Sequence, residues 1–234
     1  MSPALFAYPK QAEFNRVLPK SKIYEHARPS RSIKERFVAE VDQIVWKYKL
    51  APETINLPAR PGVPEIEIFA VSLRTGEISE SVLRTIDKAI PYPIFFEVSH
   101  GERIKSIIAY KRPSDSDSAK WVIDAYFETS WLPAENGREP LPVALDLFSL
   151  YEQILRRHIV LPAMPGESLK AQVERMNAIR AKQAECRKLE VRLQQEIQFN
   201  RKVELNRELR TLKNELDSLS GLIDSKEKDA SWTN

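Results

Sequence analysis

The chain has few of the residues from which disulfide frameworks and nucleotide-binding loops are built. Its 234 residues include one cysteine, Cys186, so a single chain forms no internal disulfide and no cysteine-rich zinc site. The six glycines are scattered singly, whereas phosphate-binding loops need glycines close together. The sequence also lacks a Gly-x-Ser-x-Gly motif. These absences argue against P-loop ATPases, Rossmann dehydrogenases and the commonest serine hydrolases.

Long apolar segments are missing as well. No run of about 18 consecutive apolar residues occurs, and the first residues lack the apolar stretch of a signal peptide. The three histidines, His26, His100 and His158, have no second ligand at the close spacing typical of zinc sites. We therefore expect a cytoplasmic protein that makes no membrane contact and uses no metal and no cofactor.

The net charge of +3 conceals an uneven distribution of charge. Residues 1–36 hold eight Lys or Arg against three acidic residues, a balance that suits solvation, docking on an acidic surface or contact with phosphates. Basic and aromatic residues also mix around Tyr110 and Trp121, a combination that either fills a sheet core or stacks bases. The candidate nucleic-acid contacts from these two regions are Lys20, Lys22, Arg28, Arg31, Lys111 and Arg112.

The middle of the chain alternates between helical and strand periodicity. Residues before 28 are expected to form an irregular arm, and residues 52–64, which are rich in proline, an extended connector. The spacing of apolar residues predicts a helix from Ser30 or Ser32 to Leu50, a strand over 65–73, a helix over 79–89, strands over 94–99, 103–111 and 121–127, and a helix over 143–158. The joint of three residues at 100–102 permits only antiparallel neighbours. These elements predict an α+β domain with a mainly antiparallel sheet and packed helices.

A long helical arm follows that domain. From Glu167 to Ile223 the chain has no proline, and its only glycine there is Gly221. Apolar residues alternate at spacings of four and three to form an assembly seam: Leu205, Leu209, Leu212, Leu216, Leu219 and Ile223. The weaker upstream pattern around Cys186 is out of phase with this seam. Two alternatives follow, a helical hairpin that folds back near 199–206, or one continuous coiled-coil helix whose halves face different partners.

Three regions are expected from this organisation. They are an α+β domain with an N-terminal arm over 1–166, a helical arm over 167–223 and a frayed tail over 224–234. An amphipathic helix gains most of its stability from packing, so the arm predicts association with a partner.

Paired acids raise one catalytic alternative. The order of helix, hairpin and strand is loosely like that of restriction-type nucleases, in which two carboxylates hold Mg²⁺ and a lysine orients water. Asp87, Glu97 and Lys111 would imitate that site if Lys111 came from a neighbouring strand. No lysine follows Glu97 at the required spacing, and the competing interpretation is that Glu97 faces solvent on a half-buried hairpin.

Several short segments together resemble a bacterial family of uncharacterised proteins, domain of unknown function 4391. The segments are Leu18-Pro19-Lys20, Ile23-Tyr24, Tyr48 to Leu57, Glu65-Ile66, Ile86-Asp87-Lys88, Ile90-Pro91, Tyr110-Lys111-Arg112, Trp131 and Phe199 to Asn206. The resemblance covers nearly the whole chain and implies a context, since members look like genomic companions of DNA methyltransferases and of helicase-type restriction or phage-defence proteins. It implies no catalytic residue.

We therefore expect a non-enzymatic accessory or assembly subunit of a bacterial DNA restriction-modification or phage-defence system. Its C-terminal helices would associate either with a second copy, as a homodimer, or with a larger protein such as a DNA methyltransferase or helicase. The alternatives are a divergent metal-dependent nuclease and a nucleic-acid-binding protein.

Overall fold

The computed structural model describes residues 5–114 and 121–221. The chain divides into two compact units, Met1–Val160 and Leu161–Asn234. In the described ranges, every helix is too short or too polar to cross a membrane.

The first unit is built on a mixed sheet. Its strands are β1 (Phe6–Ala7), β2 (Glu13–Val17), β3 (Val41–Leu50), β4 (Ile66–Leu73), β5 (Ile94–His100), β6 (Arg103–Pro113), β7 (Trp121–Glu128), β8 (Leu132–Pro133) and β9 (Glu139–Pro140). The main sheet has the order β2-β3-β4-β5-β6-β7, with β8 beside β6, while β1 pairs with β9. Within the main sheet β4 and β5 run parallel, and the other described pairs are antiparallel. The predicted α+β fold with a mainly antiparallel sheet is confirmed.

Helices cover both faces of this sheet. The helices of this first unit are α1 (Lys20–Ala27), α2 (Arg31–Glu40), α3 (Pro52–Ile55), α4 (Glu80–Ala89) and α5 (Leu147–His158). The second unit contains α6 (Leu169–Gln195) and α7 (Phe199–Leu219). The crossover through α4 is what allows β4 and β5 to run parallel. On β5, Phe96 belongs to the core beneath α1, α2 and α4. Because strand side chains alternate, Phe95 faces the other side, where its ring lies 5.5 Å from that of His158 on α5.

The predicted helix through Leu50 is wrong beyond residue 40. The helix α2 ends at Glu40, and Val41–Leu50 forms β3, which pairs with β2 on one side and β4 on the other. Bulky Trp46 and Tyr48 alternate with lysines there, which is a strand pattern, and β-branched and aromatic residues favour pleated surfaces. The apolar spacings of this segment fit the period of a helix as well as that of a strand. Pairing with the neighbouring strands decides between the two.

The predictions for the neighbouring segments need smaller corrections. The expected irregular arm contains β2 and α1, and the expected extended connector begins with the short helix α3. Helix α5 begins at Leu147, four residues later than predicted, because the carboxylate of Asp146 accepts a hydrogen bond from the Ser149 N–H at 2.8 Å and caps the helix there.

The second unit is a helical hairpin. Helix α6 ends at Gln195 and α7 begins at Phe199, so the chain reverses over three residues. The side chain of Glu196 accepts hydrogen bonds from the next two backbone N–H groups, at 2.9 and 3.0 Å, and thereby organises this turn. Of the two alternatives for the arm, the hairpin is the one observed. The two halves are out of phase because they lie on opposite sides of a turn and share no common helix.

The seam of the arm is covered within the hairpin. Leu205 and Leu209 of α7 are buried against Cys186 and Leu189 of α6, and Leu193, Leu212 and Leu216 pack around them. Lys213 and Glu190 add an ion pair between the helices at 2.9 Å. Leu219 ends α7, whereas Ile223 and the predicted tail over 224–234 lie outside the described residues. The seam leucines therefore stabilise the arm itself.

Replacing Leu209 with alanine should loosen this hairpin. Leu209 is 8% exposed, so truncation leaves a cavity and removes buried apolar area, at a cost of about 2–4 kcal/mol. We expect amide hydrogen exchange to accelerate throughout α6 and α7 and to stay unchanged in the first unit. Val191, which is 52% exposed on α6, supplies the control, and Val191→Ala should leave protection intact. Unchanged protection in the Leu209 variant would mean that this seam does not hold the hairpin together.

Candidate functional site

A buried polar network joins helix α4 to the sheet. The ammonium group of Lys111, on β6, donates to the backbone oxygens of Asp87 at 2.8 Å, Ile90 at 2.5 Å and Tyr92 at 3.0 Å. The same group lies 3.5 Å from Oδ1 of Asp87, whose Oδ2 accepts a hydrogen bond from the Tyr126 hydroxyl at 2.5 Å. Lys111 thus binds carbonyl groups at the C-terminal end of α4, which the helix itself cannot satisfy.

A β-bulge in the pairing of β6 with β7 lies beside Lys111, and Asp124 of β7 is its extra residue. The pairing of β6 with β7 shifts register between Tyr110 and Lys111, and such irregularities redirect side chains. The Lys111 N–H, which is displaced from the ladder, donates to the hydroxyl of Tyr151 at 2.8 Å, and that hydroxyl donates to the Ala109 oxygen at 2.6 Å. Helix α5, which carries Tyr151, therefore stabilises the bulge.

The charges of this network depend on each other. The side chains of Lys111 and Asp87 are 1% and 0% exposed. Burial lowers the pKa of Lys111 and raises the pKa of Asp87, and in each case the opposite charge of the partner counteracts the effect of burial. The pKa of the Tyr126 hydroxyl is raised by burial and by the Asp87 carboxylate beside it. Such a pair is stable only while both members are present.

Glu97 lies on the opposite face of the sheet from Asp87. Its carboxylate receives two hydrogen bonds from the Arg138 guanidinium, at 2.5 and 2.9 Å, and the Lys47 ammonium group lies 3.5 Å away. The residue is 2% exposed, so the expectation that it faces solvent is wrong. The positive charges of Arg138 and Lys47 neutralise its carboxylate instead, as a buried charge requires.

The three residues of the nuclease alternative therefore do not converge. The structure brings Asp87 and Lys111 together, but the sheet separates them from Glu97. Across residues 5–114 and 121–221, no three His, Cys, Asp or Glu side chains come close enough to hold a metal ion.

The candidate nucleic-acid contacts fall into two groups. In the α1–α2 region, Lys20 donates to backbone oxygens of Phe37 and Val41, Lys22 pairs with Glu25, Arg31 pairs with Glu35, and exposed Arg28 ends α1 in a left-handed conformation. Lys111 and Arg112 lie elsewhere, on β6, where the first is buried in the network described above and the second pairs with Asp124 at 2.8 Å. Of these six candidates, the ones that are exposed at the surface therefore lie in the α1–α2 region.

A serine–histidine pair lies in the core beneath α5. Nδ1 of His158 lies 2.8 Å from the Ile154 oxygen, which can only accept, so this nitrogen carries the proton. Nε2 therefore accepts a hydrogen bond from the Ser106 hydroxyl, also at 2.8 Å. Burial lowers the pKa of His158, which keeps the ring neutral. Ser106 and His158 are 0% and 4% exposed, so the pair is closed to substrates and acts in packing.

A pocket opens on the α1 side of the sheet. Its cavity of about 330 Å³ is lined by Leu18, Lys22, Ile23 and His26 from the first helix and its approach, by Trp46, Glu67 and Phe69 from the sheet, and by Ala89, Ile90, Pro91 and Tyr92 after α4. Apolar and aromatic groups dominate, while the basic side chains of α1 lie at one side. Small-molecule sites have this composition, and their volumes begin at about 300 Å³.

Glu67 is the acidic side chain that lines this pocket. It is 0% exposed, and its carboxyl group lies against the neighbouring Glu65 and the buried indole N–H of Trp46, which lines the same pocket. Burial, together with the neighbouring Glu65, raises the pKa of Glu67 to about 8. Asp87 and Glu97 are buried beside cations, whereas Glu67 is buried beside a second acid and an indole, which favours its protonated form.

Comparison with known protein families gives a match that includes nearly all of the strands and helices described above. The family model described as Domain of unknown function (DUF4391) matches residues 6–216. The chain belongs to the DUF4391 family. The match begins at β1 and ends within α7, so a DUF4391 protein contains both the sheet unit and the helical hairpin. No curated protein matches the chain, and no solved structure matches it.

The pocket of this DUF4391 protein was missed by sequence reasoning, although a signal was present. Glu67 alternates with Phe69 and Val71 on the apolar face of β4, so the pattern already placed an acid where a core residue belongs. A buried position for a carboxyl group is rare unless the group is paired or functional. What the sequence could not supply was the neighbour across the strands, Trp46, because its segment was expected to be helical.

Proposed function

We propose that this DUF4391 protein is a non-enzymatic assembly subunit that binds a larger enzyme through its helical hairpin. The observation that carries the proposal is the tip of that hairpin. Two residues there, Ile197 and Phe199, are 90% and 76% exposed, and Val191 and Val203, one turn into each helix, are about half exposed. Exposed apolar clusters of this kind mark binding surfaces.

The internal seam supports a role for the tip. Leu205 and Leu209 pack against α6 within the hairpin, so they do not offer a surface to another protein. An association surface on the arm must therefore use residues outside the seam, and the tip provides them. Phenylalanine side chains at such positions supply the large apolar contacts that anchor interfaces. Arg201 and Lys202 flank this apolar surface.

The polar sites of the sheet unit support a role without catalysis. Asp87 and Lys111 hold a helix end, Glu97 is neutralised by Arg138 and Lys47, and the serine–histidine pair is closed to substrates.

For the partner we propose a DNA methyltransferase or helicase-type enzyme of a bacterial restriction-modification or phage-defence system. The family resemblance supports this choice, and the basic residues of α1 and α2 suit contact with nucleic acid.

Polar substitution of the tip should abolish this association. We expect Ile197→Ser combined with Phe199→Ser to lower the partner recovered from native cells by roughly tenfold or more, because apolar anchors at an interface carry most of its binding energy. The measurement is affinity capture of the tagged full-length protein followed by quantitative mass spectrometry.

A matched control is available in the other unit. Val143 and Leu145 are 94% and 87% exposed, so Val143→Ser with Leu145→Ser makes the same chemical change without touching the hairpin. This control should recover the partner at the wild-type level. Equal recovery with the tip variant would contradict the proposal, as would a wild-type capture that contains only further copies of the chain.

A further inference from the structure

The two flanks of helix α7 carry opposite charges. Leu205 and Leu209 turn one side of this helix towards α6. To one side of that seam, basic and amide side chains recur at spacings of three and four residues and form a basic strip: Lys202, Asn206, Arg207, Arg210, Lys213 and Asn214. The acids of the same stretch recur at helical spacing to the other side of the seam: Glu204, Glu208 and Glu215. Helix α7 therefore presents positive charge along one side only.

The basic strip borders a groove at the surface of the hairpin. This groove has a volume of about 620 Å³ and is lined by Asn206, Arg207, Leu209, Arg210, Lys213 and Asn214. All of these side chains except Leu209 are exposed. The cations are thus accessible to a ligand that lies along the helix.

Nearby acids leave most of the charge of the basic strip uncompensated. Glu190 of α6 pairs with Lys213 at 2.9 Å, and Glu204 pairs with Arg201 at 2.6 Å. Asp217, one turn after Lys213, ends the strip. Within the described part of the hairpin, no ion pair is formed by the three other cations of the strip, Lys202, Arg207 and Arg210.

A row of exposed cations on one helix is complementary to the phosphates of a nucleic acid. Guanidinium and ammonium groups bind phosphate oxygens, and side-chain amides such as that of Asn214 bind them as well. From Lys202 to Lys213 the helix rises about 17 Å, which corresponds to about five phosphates along one strand of duplex DNA. Residues 200–219 include no aromatic residue, so the strip has no platform on which the bases of a single strand could stack.

We propose that the basic strip of α7 binds the phosphate backbone of double-stranded DNA without sequence preference. Lys202, Arg207 and Arg210 neutralise phosphates, and the amide of Asn214 donates to a phosphate oxygen. Contacts to phosphates position a protein on the duplex and carry no sequence information. The assignment does not depend on the proposed enzyme partner, because the purified protein alone tests it.

Fluorescence anisotropy with a labelled duplex of about 20 base pairs tests this proposal. We expect a Kd of about 1–100 μM near physiological salt, as for other binding to the DNA backbone. Neutralising three phosphates should contribute about −2.7 to the slope of log K against log salt concentration. Duplexes of different sequence should bind equally, and a single strand of the same length should bind more weakly. Undetectable duplex binding, or single-strand binding that is equally tight, would overturn the proposal.

Two double substitutions locate the contact on the hairpin. Arg207→Gln with Arg210→Gln should weaken duplex binding roughly tenfold or more and reduce the magnitude of the salt slope by about 2, because two phosphate contacts are lost. Lys188 and Arg192 supply the control, since each is exposed and lies two residues from Glu190, about 200° around α6 from it. Lys188→Gln with Arg192→Gln removes the same charge and should keep the wild-type slope.

A third variant separates the basic strip from the basic residues of the α1–α2 region. Lys22→Gln with Arg31→Gln removes two exposed cations there and should leave the contribution of the strip to the salt slope intact. Circular dichroism should show the wild-type helix content for every variant, because all six substituted side chains are exposed. An unchanged slope in the Arg207–Arg210 variant would contradict the proposal. Loss of binding in the Lys22–Arg31 variant alone would assign the DNA contact to α1 and α2 instead.

Discussion

Replacing Glu67 with glutamine should stabilise this protein at pH 8 by on the order of 3–5 kcal/mol. The wild-type residue is a carboxyl group that is 0% exposed, lies beside a second acid, Glu65, and forms no ion pair among the described residues. Burial without an ion-pair partner penalises the charged form, and glutamine removes the charge while keeping the shape. The measurement is chemical denaturation followed by tryptophan fluorescence, because Trp46, Trp121 and Trp131 lie in the sheet unit.

The gain should vary with pH in a defined direction. Glu67 has a pKa of about 8 in the folded protein, against 4.5 for an ordinary glutamate. Between these values the unfolded chain has lost the proton that the folded protein still holds, so wild-type stability falls as pH rises through this window. Below about pH 4.5 both states are protonated, and there the wild type and Glu67→Gln should be similarly stable. The difference between them should open up towards pH 8.

An exposed acid provides the control for this experiment. Glu135 is exposed on the loop that follows β8, and Glu135→Gln should follow the wild-type profile throughout. A Glu67→Gln profile that runs parallel to that of the wild type from pH 4.5 to pH 8 would show that Glu67 is not held protonated.

Replacing Lys111 with methionine should have an effect of similar size and opposite sign. The side chain fits the same space, but the variant leaves Asp87 buried without its cation and removes the donor for the oxygens of Ile90 and Tyr92. Breaking one side of a buried ion pair costs about 3–5 kcal/mol. We expect denaturation of the sheet unit at correspondingly lower denaturant concentration.

The adjacent residue separates this effect from a general loss of positive charge. Arg112 of β6 pairs with Asp124 of β7, and those side chains are 22% and 26% exposed. Arg112→Met should therefore cost only about 0–1 kcal/mol. Equal destabilisation by both variants would show that burial of the Lys111 pair makes no special contribution.

The sheet between β4 and β7 was predictable because each element has one unambiguous period. The strands in this range are short apolar segments, and the prolines after Ala89 and the short joint at 100–102 fix the ends. β3 was not predictable in the same way, since Phe37, Val41 and Ile44 fit a helical stripe as well as they fit a helix followed by a strand. Pairing with β2 and β4 decided the outcome, and a single chain read locally does not show its strand partners.

The residues of the candidate sites were also predictable only where the local sequence pattern was sufficient. The sequence placed Asp87 near Lys111 only as part of the nuclease alternative, and the bulge in the β6–β7 pairing beside Lys111 could not be anticipated. Glu97 was expected to face solvent because Arg138, whose positive charge neutralises it, lies 41 residues away in sequence. The leucine seam was predicted to bind a partner protein, whereas Leu205 and Leu209 pack against α6 of the same chain, and the break in its phase marks the turn of the hairpin.

Photochemical crosslinking from the hairpin tip is the most direct test of the proposed assembly role. A photoreactive phenylalanine analogue at Phe199, which is 76% exposed, would report what touches the tip in native cells. We expect one predominant crosslink to a larger DNA-acting enzyme, and none to that enzyme from the same analogue at Val143. Crosslinks from Phe199 only to further copies of this chain, or none to any protein, would contradict a role as the accessory subunit of an enzyme.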